Sequence, residues 1–238
     1  MLYLTFLMLT GIGYLAGSIC SAIIVSNIFS LPDPRTEGST NPGATNVLRL
    51  AGKKYASIVL IMDMLKGLLP VLLAQALQVN YAILGFTCLA TVVGHVYPVF
   101  FKFKGGKGVA TALGALLGLN FIMGIVLIAL WLLVANFTRY ASLASIITMV
   151  IAPFSTIFST RSIDAFPPVV LLCILVLYKH RKNVSRLFNG QEPKIKLKHH
   201  QLSDVAEAMM ADKDEAPSQA PLRKPNDNLP NDHSNTPV

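Results

Sequence analysis

A chain of 238 residues in which 53% of side chains are hydrophobic and 13% charged is no ordinary soluble domain, where about a quarter of residues carry charge. Its formal net charge of +8 favours anionic lipid headgroups, and no nucleic acid is expected as a partner. The three cysteines, Cys20, Cys88 and Cys173, lie inside apolar runs without ligand or framework spacing, which excludes a disulfide scaffold.

In chain order the long apolar runs fall at 2–25, 55–77, 80–99, 121–137, 141–158 and 166–179. Crossing a hydrocarbon core takes about 20 apolar residues, fewer where other helices surround the segment. The first run has no basic flank, so an uncleaved span is expected rather than a signal peptide. A shorter run, "VATALGALLG" at 109–118, is decided by charge. The basic clusters are Arg35/Arg49/Lys53/Lys54, Lys102/Lys104/Lys107, Arg139, and Lys179/Arg181/Lys182/Arg186. Positive residues gather on the cytoplasmic side, and all four clusters do so only if 109–118 crosses, or nearly crosses, as a separate short helix; a six-span protein with one re-entrant helix is the alternative.

The expectation is therefore an all-α polytopic membrane protein of about seven helices, N-terminus outside and C-terminus cytoplasmic. Twelve of the fourteen Lys/Arg in 1–193 then face the cytoplasm, leaving Arg161 outside and Lys66 within a span. Residues 1–193 form the membrane-embedded domain, with fourteen Lys/Arg against five Asp/Glu. Residues 194–238 form a polar cytoplasmic tail with six Lys/Arg against seven Asp/Glu. So polar a tail buries too little apolar surface to offset ordering, and disorder is expected.

The first basic loop reads "EGSTNPGATNVLRLAGKK". Ser39, Thr40, Asn41, Thr45 and Asn46 surround a Pro42–Gly43 turn, followed by Arg49. Two readings stand. Thr45 or Asn46 caps the next helix, or the loop is a polar lining with Arg49 as a phosphate fork. Asp63 and Lys66, at i and i+3 within an apolar span, either pair with each other or mark a pathway. In the second case Lys66 reaches toward a phosphate from about two turns below the surface.

His95 lies near the inner end of its span, and a packed, hydrogen-bonded histidine is the default for such a position. "KFKGGKGVAT", 102–111, then places three lysines and three glycines in seven residues. A glycine-rich turn opening a helix aims backbone N–H groups at an oxyanion, and lysines add full charge. The spacing is not that of a nucleotide-binding Walker motif. Anchoring to headgroups is the alternative.

Arg139 and Tyr140 in "TRYASLAS" suit an interface anchor. "HRKNVSRLFNGQE" holds His180, Asn183, Arg186 and Glu192, and His180 and Asn183 share a face if the last span continues as a helix. The His199/Asp204 pair in the tail has an acyltransferase-like spacing and is read as accidental. Neither a metal nor another cofactor is expected, since His95, His180 and the carboxylates lack ligand spacing. Four cation-bearing segments gathered at one face converge on an anion at the inner membrane surface. An anion transporter and a non-catalytic scaffold are the competing classes.

Together, "GSTNPGATNVLR", "DMLKG", "GHVYPVFFKFKGGKGVAT", "RYASLASI" and "HRKNVSRLFNGQE" resemble, in order and spacing, the bacterial acyl-phosphate:glycerol-3-phosphate acyltransferase family. Cys20 stands where that family commonly has proline, and Thr40 where it has glycine. The resemblance implies a multi-pass enzyme of the bacterial inner membrane with its active site toward the cytoplasm. It would transfer a fatty acyl group from acyl phosphate to glycerol 3-phosphate, giving 1-acylglycerol 3-phosphate and phosphate, the first step of phospholipid synthesis. The partners implied are these two substrates, the lipid bilayer and a soluble synthase that makes the acyl phosphate.

Residue by residue, the resemblance implies catalytic roles for Ser39, Arg49, Lys104, His180 and Asn183. Ser39, Arg49, Lys66 and Lys104 would surround the acyl phosphate. The turn Gly105, Gly106, Lys107 and Gly108, with Thr111, would form the glycerol 3-phosphate cradle or one shared by both phosphates. Asn46, His180 and Asn183 would orient that second substrate. Asn41, Gly43, His95, Ser142, Arg186 and Glu192 complete the substrate-binding set. The general base is left open between His180 or His95 and the departing phosphate, with the substrate-assisted route preferred.

Overall fold

The computed structural model describes residues 2–195; the expectations for the tail beyond 195 and for His199/Asp204 lie outside them. The described residues form helices and no strand. Among the described residues, five segments are long and apolar enough to cross a membrane: Leu2–Ile28, Lys53–Ala76, Tyr81–Phe101, Phe121–Thr138 and Ala141–Thr160. Two shorter apolar helices, Val109–Leu119 and Phe166–Lys179, stand beside these five candidate spans.

The first span is not one helix. It consists of α1 (Leu2–Gly17) and α2 (Ser21–Ile28), separated by a break at 18–20 that leaves the Ile19 carbonyl without its helical partner. A short amphipathic α3 (Ala44–Ala51) precedes α4 (Lys53–Ala76), and α5 (Tyr81–Val96) returns antiparallel to it. A 3-10 turn at Val99–Phe101 leads through the glycine-rich segment into α6 (Val109–Leu119). The helices α7 (Phe121–Thr138), α8 (Ala141–Thr160), α9 (Phe166–Lys179) and α10 (Arg181–Phe188) complete the chain.

Capping explains the turns at one end of the bundle. Asn80 accepts a hydrogen bond from the Ile83 N–H, and Asn120 from the Met123 N–H, each at 3.0 Å. At the start of α3 the capping reading fails: Gly43 is the N-cap and makes no side-chain bond, while Thr45 and Asn46 lie inside the helix.

The eleven residues of α6 span about 16 Å, roughly half a hydrocarbon core. This helix survives because it is buried among α4, α5 and α7. Its contact with α4 is backbone to backbone. A Cβ added at Gly67 would stand 2.1 Å from the Thr111 carbonyl, and one at Gly114 2.1 Å from that of Met64. Where lipid supplies no hydrophobic drive between helices, such close approach is what holds them.

Polarity is sorted inversely to a soluble protein. Leu69, Leu73, Ile122, Phe154 and Phe158 are exposed, whereas Thr87, Thr91, Thr148 and Thr156 are buried. Thr87 and Thr91 each donate at 2.8 Å to the carbonyl four residues back, which satisfies their hydroxyls within the bundle.

Candidate active site

The basic segments meet at one end of the bundle. In the first loop, Asn46 is a staple: its Oδ1 accepts the Ser39 N–H at 2.8 Å, and its Nδ2 donates to the Pro34 and Glu37 carbonyls at 3.0 Å each. Both amide hydrogens are thereby engaged, so Asn46, expected to orient a substrate, instead fixes the loop that presents an exposed Ser39. Asn41 and Gly43 form the tight turn that follows, the Gly43 N–H bonding the Asn41 carbonyl at 2.9 Å. Arg49 is exposed on α3.

The glycine-rich segment is shaped by His95. The Gly106 N–H donates to the His95 carbonyl at 3.2 Å. A Cβ on Gly105 would lie 2.0 Å from that same carbonyl oxygen. One on Gly106 would lie 2.3 Å from His95 Nε2 and 3.0 Å from the Pro42 carbonyl, so this turn packs against the first loop. Gly108, with φ +89°, then opens α6 in a conformation that side chains rarely adopt. Lys104 is exposed on this turn and Lys107 half-buried.

Lys107 begins a chain of charged hydrogen bonds. Its Nζ donates to Asn183 Oδ1 at 2.6 Å, Asn183 Nδ2 donates to Glu192 Oε1 at 2.6 Å, and Arg186 Nε donates to Glu192 Oε2 at 2.7 Å. Asn183 is thus held from both ends. Ser142 faces the same carboxylate, although its buried hydroxyl makes no hydrogen bond of good geometry among the described residues. Burial raises the Glu192 carboxyl, but the bonds from Asn183 and Arg186 outweigh this and hold it below the usual glutamate range.

Burial pushes the Lys107 ammonium down to about 8. Glu192 pulls it up, and Arg186, Arg49 and Lys179 push it further down. Arg49 is therefore near enough for Lys107 to feel its charge. His180, buried beside them, donates Nδ1–H to the Val176 carbonyl at 2.8 Å, which leaves Nε2 with its lone pair free. Burial and then the Lys107 charge push His180 down to about 4, against the Val176 bond and Glu192. Its imidazole is neutral at physiological pH.

Lys66 lies deeper than the two turns expected: it is thirteen residues along α4 from Lys53, about 20 Å of helix. It pairs with Asp63 Oδ1 at 2.7 Å and donates to the freed Ile19 carbonyl at 2.6 Å. His95 Nδ1 is 3.7 Å from the same Asp63 oxygen and 3.1 Å from Thr111 Oγ1. Asp63 thus belongs to a buried cluster that the i, i+3 spacing revealed only as a partner for Lys66. The signal that names it more fully is a carboxylate in an apolar span at the level of His95.

Lys66 also lines a cavity of about 420 Å³ between α1 and α4. Its walls include Ile12, Ala16, Leu65, Leu69 and Leu73, several of them exposed on the apolar outside of the bundle. Ser21, buried and without a hydrogen-bond partner among the described residues, lies at this cavity too. No group of three metal-ligating side chains occurs among the described residues.

The model of the family described as glycerol-3-phosphate acyltransferase matches residues 7–190. A glycerol-3-phosphate acyltransferase of Legionella pneumophila (strain Corby) is 56% identical over 206 residues, covering 87% of this chain and 74% of the relative. Another from Francisella tularensis subsp. novicida (strain U112) is 52% identical over 182 residues, covering 76% and 89%. Two crystal structures of PlsY, an integral membrane glycerol 3-phosphate acyltransferase, are similar at 38% identity over 80% of this chain. The glycerol 3-phosphate form has a TM-score of 0.76 over 96% of its chain, and the lysophosphatidic acid form 0.74 over 95%.

Proposed function

The chain belongs to the glycerol-3-phosphate acyltransferase family, and from that membership we propose how its own residues carry the reaction. It transfers an acyl group to glycerol 3-phosphate, the first step of phospholipid synthesis. The donor is an acyl phosphate, a mixed anhydride already activated for attack, so no enzyme nucleophile is required. What the enzyme must do is hold two phosphates close together and offset their repulsion.

Ser39, Arg49 and Lys104 take the donor phosphate. The turn through Gly105 and Gly106, with Lys107, takes glycerol 3-phosphate. Asn183, Glu192 and Arg186 hold Lys107 in place. The apolar groove along α1 and α4 receives the alkyl chain laterally from the bilayer, with Ser21 and Lys66 along it.

The glycerol 1-hydroxyl oxygen bonds to the acyl carbonyl carbon, the bond from that carbon to the phosphate oxygen breaks, and phosphate leaves. His180 Nε2 accepts a hydrogen bond from the attacking hydroxyl and orients it. With its pKa near 4, His180 is a weak proton acceptor, which favours transfer of the hydroxyl proton to the departing phosphate. The products are 1-acylglycerol 3-phosphate and phosphate. The concentration of cations at one end favours that end facing the cytoplasm across the bacterial inner membrane. A soluble synthase supplies the acyl phosphate there.

The observation that carries this reading is the Lys107–Asn183–Glu192–Arg186 chain against a glycine-rich turn. The test is phosphate release and lysophosphatidate formation by the purified full chain with palmitoyl phosphate and glycerol 3-phosphate, with acyl-CoA as the alternative donor. Product from palmitoyl phosphate alone, lost in Lys104→Ala and Arg49→Ala, is the expected result. Product from acyl-CoA alone overturns the donor, and full activity in both variants overturns the placement of the cations.

A further inference from the structure

Asp63 lies deep in α4, 2% exposed, in a helix whose flanks face lipid. A buried aspartate–lysine pair is poor value as a stability device, because desolvating two charges offsets most of their attraction. Intramembrane charge marks function more often than it marks stability. Lys66 moreover has a second acceptor in the Ile19 carbonyl, and Asp63 a second neighbour in His95.

We infer that Asp63 is a positioning residue: through His95 it fixes the glycine-rich turn that cradles phosphate. This rests on the assignment of that turn to glycerol 3-phosphate. The path is short. The Asp63 carboxylate stands 3.7 Å from His95 Nδ1, and Thr111 Oγ1 stands 3.1 Å from the same nitrogen. A carboxylate beside one ring nitrogen favours the tautomer protonated there, so Nδ1–H points toward Asp63 and Thr111 and Nε2 keeps its lone pair. Nε2 faces Gly106 so closely that a Cβ on that residue would be 2.3 Å away.

The His95 main chain makes the second contact. Its carbonyl accepts the Gly106 N–H at 3.2 Å and occupies the space a Gly105 side chain would need. Ring and carbonyl of one residue therefore shape consecutive glycines of the turn. Thr111, three residues inside α6, ties the same ring to the helix that the turn opens. The competing account makes Asp63 a counter-ion for Lys66 and nothing more.

The experiment uses the full chain in detergent, with Asp63→Asn, His95→Gln, Lys66→Met and the two double variants that contain Asp63→Asn. The readouts are KM for each substrate, kcat, and the rise in Tm that saturating glycerol 3-phosphate produces. Asp63→Asn is expected to raise KM for glycerol 3-phosphate about tenfold while kcat and the donor KM change less than about threefold. Added to His95→Gln it has little further effect, because two residues acting through one contact are not additive. Adding Lys66→Met to Asp63→Asn leaves the KM high.

Multiplying effects of Asp63→Asn and His95→Gln, or a KM restored by Lys66→Met, would overturn the proposal. The Tm shift separates it from the donor assignment, because it reads glycerol 3-phosphate binding without turnover. A wild-type shift that Asp63→Asn abolishes supports the positioning role even if palmitoyl phosphate is no donor. A shift that survives unchanged in Asp63→Asn overturns it.

Discussion

Replacing Gly105 by alanine adds one methyl group at the point where the glycine-rich turn crosses its own support. That Cβ would stand 2.0 Å from the His95 carbonyl oxygen, 2.7 Å from Pro98 Cδ and 2.9 Å from the Val96 carbonyl oxygen. Carbon–oxygen contacts are comfortable from about 3.3 Å, so the turn must retreat by about 1.3 Å. The His95 carbonyl cannot yield instead, since it sits at the packed inner end of α5 beside a fully buried Val96. A 1 Å misplacement of a positioning group costs on the order of 100-fold in rate, which is about 2.7 kcal/mol of transition-state stabilisation. The assay is kcat/KM for glycerol 3-phosphate, with a thermal melt of the same preparation. Gly11→Ala is the control, because its Cβ would meet nothing within 4 Å. The expected result is a loss of about 100-fold for Gly105→Ala with its melt preserved, and wild-type behaviour for Gly11→Ala. Activity of Gly105→Ala within about threefold of wild type would refute the claim that the turn's position against His95 carries substrate binding.

Further expectations follow from the charged chain and the groove. Lys107, lowered to about 8, is charged below that pH and neutral above it, so kcat/KM falls as pH rises through 8. In Lys107→Arg this alkaline limb disappears, because a guanidinium stays charged. Glu192→Gln removes the anion that receives Asn183 and Arg186, and lost hydrogen bonds to a charged group predict a fall of about 10- to 100-fold in kcat/KM. Unchanged activity would make Glu192 a packing residue. Ala16→Phe narrows the groove between α1 and α4 and should shift donor preference toward shorter chains, read from relative kcat/KM across a chain-length series. An unmoved profile would place the alkyl chain elsewhere.

The architecture was legible because each element has a simple cause in the sequence. Apolar length and the placement of cations require 109–118 to be its own short helix, and α6 occupies Val109–Leu119. The break at 18–20 was not legible: an unbroken apolar run hides a backbone interruption at which the Ile19 carbonyl accepts from Lys66, forty-seven residues later. The candidate site divides along the same line. The Arg186–Glu192 bond spans six residues and Asn183–Glu192 nine; the sequence put all three in one segment, and the fold supplied the bonds between them. Asn46 read as a cap or a ligand, and only the folded loop assigns its amide to Ser39, Pro34 and Glu37. Asp63 and His95 belong to different helices, and periodicity within one helix carries no information about a neighbour thirty-two residues away.

The depth of the site follows from the short helices. With about 16 Å of rise in α6 and about 21 Å in α9, neither spans a 30 Å hydrocarbon core. Gly67, well inside α4 from its start at Lys53, packs on the Thr111 carbonyl, so the turn that opens α6 lies below the level reached by that end of α4. A recess of this kind brings polar backbone into the membrane only where protein surrounds it, which the burial of Gly106, Gly108, His180 and Asn183 provides. It also solves a problem of transfer between phases. In the proposed arrangement, the alkyl chain of the donor would stay in the bilayer along the α1–α4 groove, while glycerol 3-phosphate would enter from the basic end. Lengthening α6 by one turn would lift the cradle about 5.4 Å away from Asp63 and His95, and would separate the two substrates even if every cation were kept.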